Sequence, residues 1–109
     1  MKDYQILIDH ILESIEWIEN YTKDISKDDF LASVQIQDSV IRRLEIIGEA
    51  VGNFPEEIEK KYPDVKWREI SGMRNFLIHE YFGVSISLVW NAVKKDIPVL
   101  KEQMKKLKK

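Results

Sequence analysis

Apolar residues at Tyr4, Ile8, Ile11, Ile15 and Ile18 recur in steps of four and three, the spacing that lines one face of a helix. They predict a first helix over roughly residues 3–21. The polar run from Thr22 to Asp28 interrupts the pattern and contains Ser26 and Asp28, whose side-chain oxygens can accept from the free amides of a following helix. From Asp29 to about Asn53 the apolar positions fall in two stripes, Phe30, Val34, Ile41, Leu44 and Val51, and Ile36, Val40, Ile47 and Phe54. A helix with two such stripes packs neighbours on two sides, so this segment is expected to be one central helix.

Gly52, Asn53 and Phe54 favour a stop, and Pro55 suits the first position of a short helix from Glu56 to Lys61. Beyond the break at Pro63 and Asp64, the residues Trp67, Ile70, Leu77, Ile78 and Tyr81 form the stripe of a helix expected to end near Phe82 and Gly83. Ser85 is placed to cap a last helix, with the stripe Ile86, Val89, Val93, Ile97, Leu100, Met104 and Leu107. Pro98 is expected to kink it. No stretch alternates with a period of two and no internal repeat is present, so the expected fold class is all-α, a helical bundle. At 109 residues the chain fits one domain, residues 1–109.

Composition narrows the function classes. Hydrophobic residues make up 44% and charged residues 33%, the balance of an ordered soluble domain. The chain has no cysteine, which excludes disulfides, thiolate metal sites and cysteine nucleophiles and makes the cytoplasm the expected compartment. The start, Met1 to Tyr4, lacks a signal-peptide pattern, and no run approaches about 18 consecutive apolar residues; no membrane association is expected. A net charge of −2 argues against a protein that coats nucleic acid non-specifically, because that binding needs an excess of Lys and Arg. The distribution is lopsided: residues 1–30 hold eight acids, and residues 94–109 hold seven lysines. A solvated surface with a basic helix end, which suits the helix dipole, accounts for this; so does a tail that guides phosphate.

The segment from Gly72 to Tyr81 concentrates groups suited to phosphate chemistry: Arg74, Asn75, His79 and Tyr81. On an ideal helix Asn75 and His79 share a face, which Arg68 and Gly72 extend. Arg74 points about 140° away from His79, so one helix does not easily aim both at one atom. Two copies across a two-fold axis could, with Gly72 allowing close approach. In such a cleft one His79 takes the proton of a ribose 2′-hydroxyl, the other protonates the leaving oxygen, Arg74 stabilises charge on the phosphoryl oxygens and Asn75 positions phosphate or imidazole. The same spacing also admits a plain structural account, in which Arg74 is an ion-pair partner for Glu45 or Glu49 and His79 is a helix-end residue. His10 stands alone, with no second histidine near it for a metal site. Glu45 and Glu49 follow Arg42 along one face and read as a salt-bridged surface. Trp17, Trp67 and Trp90 are dispersed over three helices and read as packing residues rather than a base-stacking platform.

Gly72-Met73-Arg74-Asn75-Phe76-Leu77-Ile78-His79-Glu80-Tyr81 resembles the R-x4-H-x-Y motif of HepT-like HEPN toxins. Ile41-Arg42-Arg43-Leu44-Glu45-Ile46-Ile47-Gly48-Glu49-Ala50 resembles the family's central helix, and Trp67-Arg68-Glu69-Ile70 and Trp90 fall where the family tends to have them. The resemblance implies an up-and-down HEPN bundle of four to five helices that forms a homodimer. It implies a metal-independent endoribonuclease without a cofactor, the toxin of a toxin–antitoxin pair, with RNA as substrate and Arg74, Asn75 and His79 as catalytic residues. The partner it implies is an MNT-type nucleotidyltransferase antitoxin that transfers AMP to the motif tyrosine, here Tyr81. Two other classes stay open: a non-catalytic binding module that partners a nucleotidyltransferase and contacts RNA or nucleotide, and a purely structural helical dimer.

Overall fold

The computed structural model describes residues 3–79 and 85–109, apart from the side chains of residues 76–79. Asp3 accepts from the Gln5 amide and opens α1 (Tyr4–Thr22), whose buried face is Leu7, Ile8, Ile11, Ser14, Ile15, Ile18 and Thr22, the expected stripe with its flank. The helix closes where the Thr22 hydroxyl donates to the Ile18 carbonyl at 2.8 Å. Asp24 then turns the chain with a φ of 58°, a left-handed conformation that Asp tolerates better than most residues. Ser26 caps α2 (Lys27–Ala32) in a reciprocal box with Asp29, which satisfies two otherwise free amides at once.

The single helix expected from Asp29 to Asn53 is two helices. The chain is extended at Ser33, with φ −115° and ψ 102°, and α3 (Val34–Val51) starts anew from its side chain. Polar side chains hold the break. The Ser33 hydroxyl accepts from the Ile36 amide at 3.2 Å, and the Gln37 side-chain amide donates to the carbonyls of Phe30 and Leu31 in the last turn of α2. A serine able to cap competes with helix continuation, and here it prevails. The break re-phases the stripe: Phe30 is fully buried, whereas Val34, expected in the core, is 66% exposed.

Pro55 caps α4 (Glu56–Lys61), and α5 (Trp67–His79) follows; its expected end at Phe82 and Gly83 lies outside the described residues. Ser85 caps α6 (Ile86–Asn91) as expected. The disturbance attributed to Pro98 lies upstream of it, as a π turn over Ala92–Asp96 in which the Ile97 amide donates to the Ala92 carbonyl. Proline has no N–H to give and its ring crowds the carbonyl four residues earlier. A widened turn leads into α7 (Ile97–Leu107) with Asp96 and Ile97 still right-handed helical.

Helix α3 is central, packed on α1 along one side and on α5 along the other. The register is antiparallel at each seam. Arg43 lies over Trp17 while Phe54 meets Tyr4, and Gly48 faces Arg74 while Gly52 faces Ser71. Helix α7 returns along α1, where Lys101 meets Glu19 and Lys108 meets Asp9. The acid-rich start and the lysine-rich end of the chain are therefore neighbours, and part of the lopsided charge is spent within the molecule. Between the helices lie Ile8, Ile11, Ile15, Ile18, Phe30, Val40, Ile47 and Met104, all fully buried. The result is the all-α bundle expected, and no described helix is long and apolar enough to cross a membrane.

Candidate functional site

Trp67 anchors the start of α5: its ring is buried and its indole N–H donates to the Tyr62 carbonyl at 2.9 Å. Ile70 and Met73 pack against the core from the same helix. With that face turned inward, Arg68, Gly72 and Asn75 stand exposed on the other, which is the polar stripe read from the spacing.

Arg74 leaves that stripe and turns toward α3. Its Nε lies 2.8 Å from Glu49 Oε2, with the two side chains 39% and 59% exposed, and its NH1 lies 3.5 Å from Asn75 Oδ1. The ion-pair role that spacing left open for Arg74 is thus present, with Glu49 rather than Glu45, and it leaves the guanidinium within reach of solvent. Glu45 pairs instead with Arg42 at 3.4 Å.

A glycine brings the two helices this close. A Cβ at Gly48 would come within 2.9 Å of Arg74 Cβ and 3.1 Å of the Ile70 carbonyl oxygen. Only hydrogen fits there, and the close approach fixes where the Arg74 side chain leaves its helix. One turn further, a Cβ at Gly52 would meet Ser71 Cβ at 3.4 Å. Around the pair opens a polar cleft of about 320 Å³ lined by Gly52, Asn53, Ser71, Gly72, Arg74 and Asn75, within the lower range of small-ligand sites. On its other flank Arg74 borders a cleft of about 300 Å³ with His10, Arg42, Glu45 and Asn53. The cleft of about 330 Å³ between α5 and α7 is lined largely by Leu44, Ile47, Ile70, Met73, Ile97 and Leu100 and touches no predicted site residue. Chemistry therefore directs attention to the polar side of α5.

Of the predicted set, Arg74 and Asn75 come together. His79 is the last described residue of α5, one turn beyond Asn75, but its side chain and the whole of Tyr81 lie outside the described residues. Sequence reasoning missed Asn53 and Ser71 as cleft residues. The signal that could have found them is the pair Gly48 and Gly52, two small residues one turn apart on a helix otherwise rich in large ones. Trp67 and Trp90 are buried, as packing residues should be, whereas Trp17 is 41% exposed and stacks on Tyr21 at 5.9 Å. Among the described residues no group of His, Asp or Glu is arranged to hold a metal ion.

A family model described as ribonuclease HepT-like matches residues 11–107. A protein of Methanocaldococcus jannaschii named "Gamma-glutamylcyclotransferase and putative RNase" is 56% identical over 106 residues, a match covering 97% of this chain and 48% of that protein. The chain therefore spans about half the length of that relative. A "Probable ribonuclease HepT" of Thermococcus cleftensis is 47% identical over 108 residues, covering 99% of this chain and 96% of its own length. A "Putative RNase" of Caldanaerobacter subterraneus subsp. tengcongensis is 43% identical over 107 residues, covering 98% and 96%. No solved structure gives a significant match.

Proposed function

The chain belongs to the ribonuclease HepT-like family, and from that premise we propose that it is the toxin of a HEPN/MNT toxin–antitoxin pair, a metal-independent endoribonuclease that cuts RNA at a cleft between two copies. The observation that carries this reading is the half-exposed Arg74 guanidinium beside Asn75 in an open polar cleft, on the helix that also carries His79. Guanidinium matches phosphate with paired donors, and imidazole titrates near neutrality.

In the dimer, one His79 takes the proton of a ribose 2′-hydroxyl and the 2′ oxygen attacks the adjacent phosphorus. The 5′ oxygen leaves with a proton from the partner subunit's His79. Arg74 donates to the phosphoryl oxygens as their charge grows, and Asn75 holds phosphate or imidazole in place. The products are a 2′,3′-cyclic phosphate and a 5′-hydroxyl end. The open face at Gly72, where a Cβ would meet nothing within 4 Å, is where the second copy docks. Silencing falls to the nucleotidyltransferase antitoxin: AMP on Tyr81 adds bulk and negative charge that repel RNA.

The test is cleavage of bulk RNA in EDTA by the purified protein, with intact mass confirming that Tyr81 carries no AMP. His79→Ala and Arg74→Ala, each shown to fold, serve as controls. Cyclic-phosphate ends from wild type and their loss in both variants are the expected result. Equal cutting by all three would reject the site, and no cutting by unmodified wild type would favour a non-catalytic module that partners a nucleotidyltransferase.

A further inference from the structure

We infer that Glu49 is a positioning residue for Arg74, holding the guanidinium at its Nε so that the terminal nitrogens face a phosphate in the cleft; the inference rests on the reading of Arg74 just proposed.

Glu49 sits in the last turn of α3 (Val34–Val51), on the exposed side, next to the glycine that lets α5 approach. Because Gly48 stands against Arg74 Cβ, the root of the arginine is fixed by backbone contact while its head is free to swing. The Glu49 carboxylate meets that head at Nε, at 2.8 Å. The contact recorded for the terminal nitrogens is a long one, 3.5 Å from NH1 to Asn75 Oδ1. A guanidinium carries one N–H at Nε and four at its terminal nitrogens, so a carboxylate on the Nε side leaves a fork for a second anion.

Stability does not explain the pair. Both side chains are more than a third exposed, and ion pairs of that kind contribute little to folding because solvent screens them. Orientation explains it better: an arginine aimed in advance loses less freedom when the transition state forms. Glu49 also borders both clefts that flank Arg74, the polar one and the one it shares with Leu7, His10 and Ile46, so the pair stands at the boundary between them, where a strand passing from one to the other must meet the guanidinium.

The experiment uses the full chain with Glu49→Ala and Glu49→Gln, each first checked for a wild-type melting temperature. Glutamine keeps an oxygen for Nε and removes the charge. Two readouts are taken. The first is motion of the Arg74 Nε–H bond by 15N relaxation, the resonance being assigned by its loss in Arg74→Lys. It should be restrained in wild type and Glu49→Gln and mobile in Glu49→Ala, whether or not the protein cuts RNA. The second is the rate on an RNA oligonucleotide: kcat should fall about tenfold in Glu49→Ala with KM changing less, and Gln should restore it to within a few-fold. Unchanged motion in Glu49→Ala overturns the inference. Mobility without any loss of kcat retains Glu49 as the holder of Arg74 but overturns the reading of Arg74 on which the inference rests. Faster cutting in both variants would mean that Glu49 competes with phosphate, which also overturns it.

Discussion

At position 74 the contacts call for an arginine rather than a cation of any kind. Its Nε meets Glu49 while NH1 extends toward Asn75, two directions at once from one planar head. Lysine carries a compact charge and can satisfy Glu49 or a phosphate, with no fixed fork for both. Arg74→Lys should therefore keep the fold yet lose at least about tenfold in the initial rate on labelled RNA. Wild-type activity would mean that charge alone suffices there. The divergence of Arg74 from the exposed stripe was legible in the sequence, because it follows from the helical step; the long contact from its NH1 to Asn75 was not, since that step sets adjacent residues about 100° apart. Which acid pairs with Arg74 was not legible either. Glu45 and Glu49 share a face of α3, and only the antiparallel register of α3 on α5, set by packing, selects Glu49.

Local capping and close packing decide the elements wherever periodicity leaves a choice. Helix α1 and the caps at Ser26 and Ser85 read correctly from the sequence because they depend on neighbours in the chain. The break at Ser33 did not. The apolar pattern from Phe30 to Val51 is compatible with one helix, and the competing interactions, from Ser33 to Ile36 and from Gln37 to Phe30 and Leu31, are polar and local enough to be masked by it. The α3–α5 seam has its own signature in Gly48. Gly48→Ala gains up to about 1 kcal/mol in helix propensity, but the added methyl meets the Ile70 carbonyl at 3.1 Å, a backbone atom that cannot swing aside. Overpacking of this kind costs about 1–3 kcal/mol, so urea melts should show a net loss. RNA cleavage should fall further than the unfolded fraction explains, because the clash is also with Arg74 Cβ.

For the molecule as a whole, the charge asymmetry of the sequence becomes a seam: Lys101 with Glu19 and Lys108 with Asp9, alongside a Gln5 side chain that donates to the Leu107 carbonyl at 3.1 Å. Composition revealed the two charged ends but not that they are neighbours, since that depends on α7 turning back along α1. The proposed dimer has a separate test. Within one copy a methyl at Gly72 meets nothing within 4 Å, so Gly72→Ala should stabilise the monomer by about 0.5–1 kcal/mol through helix propensity. If the second copy seats on that glycine, sedimentation should show the dimer weakened by about tenfold or more, which is about 1.4 kcal/mol; an unchanged dimer would place its interface elsewhere. The π turn over Ala92–Asp96 carries a further consequence, one of phase. It holds one residue more than an α-helix would spend on the same turn, so it works as slack. Loss of one residue there would close the turn to an ordinary α-helical one and leave α7 in its present phase, with Lys101 still on Glu19 and Met104 still buried. The loss would instead set the Pro98 ring against the carbonyl four residues before it. One residue lost after Ile97 has no such slack to draw on and would turn the rest of α7 by about 100°, so the last helix tolerates a change of length in one place and not in the next.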